Sequence, residues 1–169
     1  MHPNLKYSIM KHNFRLYAIG LTALSMVFFA GCKDKEPESL IGTVEKPSWT
    51  VPSDYDMTAS MTAIVNVDLS LSFPKQIKDA ERAVADDDLL AAFVGDVCVG
   101  TASPVSGLFF LYIAGTVSGT ENPEVSLRYY SSILKNTFVS VQAFPFRNDE
   151  NIGTVSNPYS PEFVVLKAK

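Results

Sequence analysis

The chain has 169 residues, 47% hydrophobic and 11% aromatic, with 14 Lys and Arg against 18 Asp and Glu for a net charge of −4. An acidic balance without a basic run speaks against nucleic acid, whose affinity comes mainly from Lys and Arg neutralising phosphates. Both histidines, His2 and His12, sit near the N-terminus, so the rest of the chain lacks an imidazole for Ser–His or Cys–His nucleophile activation and the commonest zinc and copper ligand.

The first segment carries Lys6, Lys11 and Arg15 and no acid, and from Leu16 to Phe29 no charge occurs. A basic stretch, a short apolar run and a small-residue step at its end are the parts of a secretory signal peptide. An uncleaved transmembrane helix fits less well, because the uncharged run falls short of the roughly 20 residues a bilayer core requires. Phe29-Ala30-Gly31-Cys32 places two small residues before a cysteine where the apolar run ends, and this resembles the lipobox of bacterial lipoproteins. The resemblance implies that residues 1–31 are removed and that Cys32 receives acyl chains on its sulfur and new amino group. Cys98 is the only other cysteine. A Cys32–Cys98 bridge is open to an oxidising compartment, but acylation consumes the Cys32 sulfur. Removing the leader takes three of the 14 basic residues and none of the acids, which leaves 11 against 18 and a net charge of −7. No polybasic patch then remains for anionic lipid, and the acyl chains, at about 0.8 kcal/mol per buried methylene, carry the membrane attachment.

Residues 32–47 are expected to form the acylated N-terminus and a disordered linker. Lys33-Asp34-Lys35-Glu36-Pro37-Glu38-Ser39 is charged, interrupted by proline and without an apolar period. The acidic-rich start of this stretch is similar to the surface-export signal of Bacteroidota lipoproteins, which implies the outer membrane and the cell surface. A plain solvated spacer accounts for the same residues.

Residues 48–169 are the size of one domain, able to bury roughly two-thirds of its unfolded surface. Trp49 to Met57 reads as an extended lead-in. Ser60 to Ser70 alternates, with Met61, Ala63, Val65, Val67 and Leu69 on one side, and predicts a half-buried strand. Pro74 to Asp88 has helical character through Ile77, Ala80, Ala83 and Val84, enough for a turn or two capping a sheet. Ala91–Val94 and Val97–Gly100 flank Gly95-Asp96, a glycine-first pair that suits a type II′ hairpin turn. Direct pairing sets Val94 against Val97, Phe93 against Cys98 and Ala92 against Val99, so Cys98 is expected buried, free and slow to alkylate. Leu108–Ile113, apolar on both faces, predicts a central strand. Val125, Leu127 and Tyr129 alternate with Ser126, Arg128 and Tyr130 in the next, and Val139, Val141 and Ala143 are expected inward in the one over Phe138–Phe144, which Pro145 ends. Gly153–Val155 reads as a short edge piece and Glu162–Leu166 as a final strand. Seven or so short strands predict an all-β fold, a single antiparallel β-sandwich of immunoglobulin-like architecture.

Ser60-Met61-Thr62, the run Asp87-Asp88-Leu89-Leu90-Ala91-Ala92-Phe93-Val94-Gly95-Asp96-Val97-Cys98-Val99-Gly100, Leu127-Arg128-Tyr129-Tyr130-Ser131 and Gly153…Asn157-Pro158-Tyr159 occur in this order. The set resembles a β-sandwich module of secreted proteins and lipoproteins of Bacteroidota, over roughly Trp49 to Phe163. That pattern often has an arginine where this chain has Val99. The resemblance implies a fold and no transferable activity.

For chemistry, the sequence offers no Gly-rich phosphate cradle and no Cys-x-x-Cys pair, and it implies neither a cofactor nor a catalytic residue. A carboxylate pair for glycoside hydrolysis is formally open, although the acids fall mainly in loops. Asp86-Asp87-Asp88 is read as a polar turn, with calcium ligation as the alternative. Trp49, Tyr130 and Tyr159 are candidate ligand-binding rings beside turns or on the less apolar side of strands, with packing into the core as the competing reading. The expected function is a non-catalytic envelope lipoprotein binding a glycan or protein partner. A structural subunit of an envelope assembly is the alternative, and a glycosidase the third. Replacing Cys32 by Ser is expected to leave uncleaved precursor that carries no acyl mass; mass spectrometry and detergent partitioning of the mature chain check it.

Overall fold

The computed structural model describes residues 39–81, 83–115 and 122–166. The expected leader, Cys32 and the start of the linker lie outside the described residues. Strand β1 (Ala59–Val65) follows the expected alternation, with Met61, Ala63 and Val65 buried and Thr62 exposed. It is shorter than the pattern over Ser60–Ser70 predicts. The Asp68 carboxylate accepts the Ser70 N–H at 2.9 Å and starts a one-turn helix, α1 (Leu69–Ser72). A carboxylate at the N-cap satisfies an otherwise unpaired helical amide, and this local bond outweighs continued pairing. Val67 and Leu69 are nevertheless buried, as the alternation requires. Among the described residues, helix between Pro74 and Asp88 is a single 3₁₀ turn, Asp79–Glu81.

The remaining strands are β2 (Leu89–Val94), β3 (Val97–Ala102), β4 (Pro104–Val105), β5 (Leu108–Gly115), β6 (Glu124–Ser131), β7 (Asn136–Ser140), β8 (Phe144–Pro145), β9 (Asn151–Ile152) and β10 (Phe163–Val165). They form two packed sheets, an all-β sandwich. One has the order β4-β5-β1-β9, the other β10-β7-β6-β2-β3, with β8 pairing β6. The fold is not purely antiparallel: β9 runs parallel to β1, with Thr62 opposite Asn151. The expected edge piece at Gly153–Val155 is formed just upstream by Asn151–Ile152. The final strand is the central part of Glu162–Leu166 and pairs β7.

The β2–β3 hairpin keeps Val94 opposite Val97 and Phe93 opposite Cys98, and a bulge then sets Ala92 against Gly100 instead of Val99. Gly95 has φ +60 while Asp96 does not enter the left-handed region, as a type II′ turn requires. Gly100 sits where β3 passes β5; a Cβ there would fall on the Tyr112 carbonyl oxygen. The chain therefore needs glycine at the point where one sheet closes on the other.

Met61, Val65, Phe109 and Leu111 from the first sheet meet Leu90, Val99, Leu127, Tyr129 and Phe138 from the second in one core. Rings dominate its centre. Tyr129 lies 5.9 Å from Phe109, 6.2 Å from Phe138 and 6.0 Å from Phe163 between centroids, and Phe73 lies 5.7 Å from Phe138.

β7 corrects an expectation. Its inward positions are Phe138 and Ser140, whereas Val139 is half-buried, Val141 is 54% exposed and Ala143 is exposed. Phe138 sits opposite Tyr129 and Val139 opposite Arg128. A one-residue slip turns every side chain to the other face, and burying the Phe138 and Phe144 rings gains more than burying two valines and an alanine. The linker expectation is corrected over 40–46 as well. Leu40 is buried, and Gly42 and Val44 donate to the Leu134 and Lys135 carbonyls at 2.8 and 2.9 Å. Phe138→Ala is expected to cost about 3–5 kcal/mol and Val139→Ala less than about 1.5 kcal/mol, as urea denaturation of the two variants will show.

Candidate ligand-binding face

The three rings proposed from sequence do not converge. Tyr130 is 2% exposed and therefore cannot present its ring to a ligand. It was placed on the polar side of β6, but the ring is buried there; Gly42 and Val44 bond to Leu134 and Lys135 just beyond the strand, and Trp49 packs on Phe93 of β2 beside it. Trp49 is half-buried and meets Phe93 edge-on at 5.7 Å and 84°, over the small cluster of Ala91, Phe93 and Cys98. Tyr159 is half-buried, edge-on to Phe144 at 5.8 Å, and its backbone bridges Val65. Packing accounts for all three rings.

Beside Trp49, the Arg128 guanidinium lies 3.9 Å from the Phe93 ring centroid and donates to Asp96 Oδ1 at 3.0 Å and to the Gly95 carbonyl at 3.3 Å. One arginine thereby ties the hairpin turn to β6 by charge, hydrogen bond and cation–π contact. Val99, where the resembled pattern often has an arginine, is fully buried and has no surface role. Cys98 is buried and free, as expected, and its Sγ lies 3.6 Å from the Gly100 carbonyl. Burial raises its thiol pKa, opposed by the Gly100 hydrogen bond and by Arg128.

The acidic triplet splits. Asp86 and Asp87 are exposed, and Asp87 reaches Lys46 at 3.7 Å. Asp88 is fully buried and accepts four hydrogen bonds: the Tyr129 hydroxyl, the Ser132 N–H and hydroxyl at 2.7 Å each, and the Ala85 N–H at 3.0 Å. These donors take up the lone pairs a calcium ion would need. Among the described residues no group of three or more His, Cys, Asp or Glu is placed to hold a metal.

The open aromatic surface lies elsewhere, on the outer side of the first sheet. β1 and β5 pair over seven positions, with Thr62 directly opposite Tyr112 and Ile64 opposite Phe110. On β5, Phe109, Leu111 and Ile113 are buried, but Phe110 is 46% and Tyr112 55% exposed. The strand expected over Leu108–Ile113 is central in its sheet, between β4 and β1, but its apolar residues on one side, Phe110 and Tyr112, are not buried. Val105, 60% exposed, pairs Leu108 on that side. Across β1, Thr62 hydrogen-bonds its hydroxyl to Asn151 Oδ1. Val105, Leu108, Phe110, Ile64, Tyr112, Thr62 and Asn151 thus share one face, apolar at the β4 end and polar at the β9 end, with no charge among them.

Three features position this face. Ser106 and Gly107 both have positive φ (51 and 80) and turn β4 tightly into β5. Buried Phe109, Leu111 and Ile113 fix the strand phase. The loop before β9 is bonded along β1, Asp149 N–H to the Ser60 carbonyl at 2.8 Å and Thr62 N–H to the Glu150 carbonyl at 3.0 Å, which brings Asn151 beside Thr62. Sequence reasoning missed Phe110 and Tyr112; the Ser106-Gly107 dipeptide was the signal that a hairpin, and hence an edge-side sheet, was near. A separate open depression of ≈ 280 Å³, lined by Asn66, Val67, Asp68, Ser70, Val84 and Gly107, has its carboxylate committed to Ser70.

Compared with protein-family models, with curated proteins and with solved structures, the chain matches none. The buried network offers a direct check. Burial, the Asp88 charge and the hydrogen bond to Asp88 hold the Tyr129 phenol far above its ordinary pKa. The neutral phenol is then favoured by folding: its stabilisation is complete below the unfolded value of about 10 and is lost as pH rises beyond it, by about 1.4 kcal/mol per pH unit. Tyr129→Phe is expected to start less stable at pH 8 yet lose stability less steeply above pH 10, measured by urea unfolding across that range.

Proposed function

We propose that this chain is a cell-envelope lipoprotein, anchored at the outer membrane through acylated Cys32, whose immunoglobulin-like sandwich is non-catalytic and binds a glycan or protein partner through the outer face of β1 and β5. The observation that carries the reading is the exposure of Phe110 and Tyr112 side by side on a rigid, paired strand. Large exposed apolar patches on small domains mark interaction sites, and aromatic rings are enriched in them.

A structural subunit joining its neighbours by sheet edges is the competing class, and the edges favour it less. β9 has two residues and β10 three, and β4 contains Pro104, which cannot donate to a ladder. The Phe163 N–H of β10 is already given to Ser72 Oγ at 2.7 Å. β3 is closed off where Gly100 meets Tyr112.

Oxidative footprinting of whole cells against the purified full chain tests the reading. Phe110 and Tyr112 are expected to oxidise several-fold more slowly in the envelope, with exposed Val141 unchanged. Equal rates for the two rings in both settings overturn it.

A further inference from the structure

We infer that the ligand of this face is a neutral glycan, bound with a sugar ring on Tyr112 and its hydroxyls on Thr62 and Asn151; this rests on the open face being the binding surface. Three polar groups stand in a row across three strands: Tyr112 opposite Thr62 on β5 and β1, and Thr62 opposite Asn151 on β1 and β9. Neighbouring strands are about 4.8 Å apart, so the row spans about 10 Å, the reach of a hexose with its substituents. Each member can both donate and accept, as a sugar hydroxyl does. The Thr62 hydroxyl is given to Asn151 Oδ1, which orients the amide. Among the described residues, neither Asn151 Nδ2 nor the Tyr112 hydroxyl has a hydrogen-bond partner, and both remain for a ligand.

The platform beside the row is aromatic. Phe110 and Tyr112 are two residues apart on one face, about 7 Å along the strand, and both are exposed. Flat rings next to hydroxyl-matching groups complement a sugar's apolar C–H face and its polar rim together. The absence of charge narrows the class further. No carboxylate, guanidinium or ammonium lies among the face residues, and Arg147 of the loop before β9 is paired with Glu150 at 3.6 Å, so an acidic sugar finds no unpaired cation there. The net charge of −7 expected after leader removal disfavours polyanions in addition.

Calorimetry of the purified full chain, in a detergent without a sugar head group, uses cellohexaose, mannohexaose, xylohexaose and hexagalacturonate as probes. At least one neutral hexasaccharide is expected to bind, with hexagalacturonate at least tenfold weaker. Tyr112→Ala and Asn151→Ala are expected to weaken that binding at least tenfold, and Tyr112→Phe less. Because Tyr112 is exposed, its variants should melt with the wild type, which separates lost binding from lost fold. Absence of binding by all three neutral probes, or binding unaffected by Tyr112→Ala, overturns the inference. If footprinting still shows Phe110 and Tyr112 protected on cells, the face remains a contact surface and its partner is a protein. If that protection is absent too, both readings fall.

Discussion

The fold turns on one carboxylate in its interior. Asp88 is fully buried at the start of β2 and holds the Tyr129 hydroxyl of β6 together with two donors of Ser132. Removing a carboxylate from water costs several kcal/mol even after relaxation. Four donors offset that cost only when all are in place, so the bonds specify a geometry as much as they stabilise it. Tyr129 passes the constraint on, because its ring touches Phe109 of the first sheet and Phe138 and Phe163 of the second. One polar network thereby sets how the two layers of rings meet.

The two outer surfaces of the sandwich have different fates. At the second sheet Gly42 and Val44 are bonded to Leu134 and Lys135, Trp49 packs on Ala91, Phe93 and Cys98, and Arg128 braces the hairpin. The aromatic residues on that side are used for stability. Among the described residues, the first sheet has no such cover over Phe110 and Tyr112. Similar residue types are structural on one side and available on the other, and only the path of the chain distinguishes them.

Legibility followed the same division. The alternation in Met61, Ala63 and Val65 and the turn at Gly95-Asp96 were plain in the sequence, because period two and a glycine-first turn are local signals. The buried positions of Val67 and Leu69 were readable although the strand ended early, since a half-buried pattern survives a change of backbone. Phe138 and Val139 were not separable, because apolar residues of β-forming type occupy both phases of β7. The face at Phe110 and Tyr112 was hidden for a related reason: Leu108–Ile113 is apolar at every position, so periodicity carries no information about which side meets water. Asp88 looked like a member of a solvated acidic run, and only the fold brings Tyr129 and Ser132 to it across more than forty residues of chain.

The packing of Trp49 has a spectroscopic consequence. It is the sole tryptophan of the chain, and it is lodged edge-on against Phe93, over a cluster that holds a thiol. Its fluorescence therefore reports one spot on the second sheet and nothing else. An occupant of the aromatic face on the first sheet leaves that emission unchanged, whereas detachment of the segment carrying the indole shifts it to the red, so a single optical channel separates ligand occupancy from local opening.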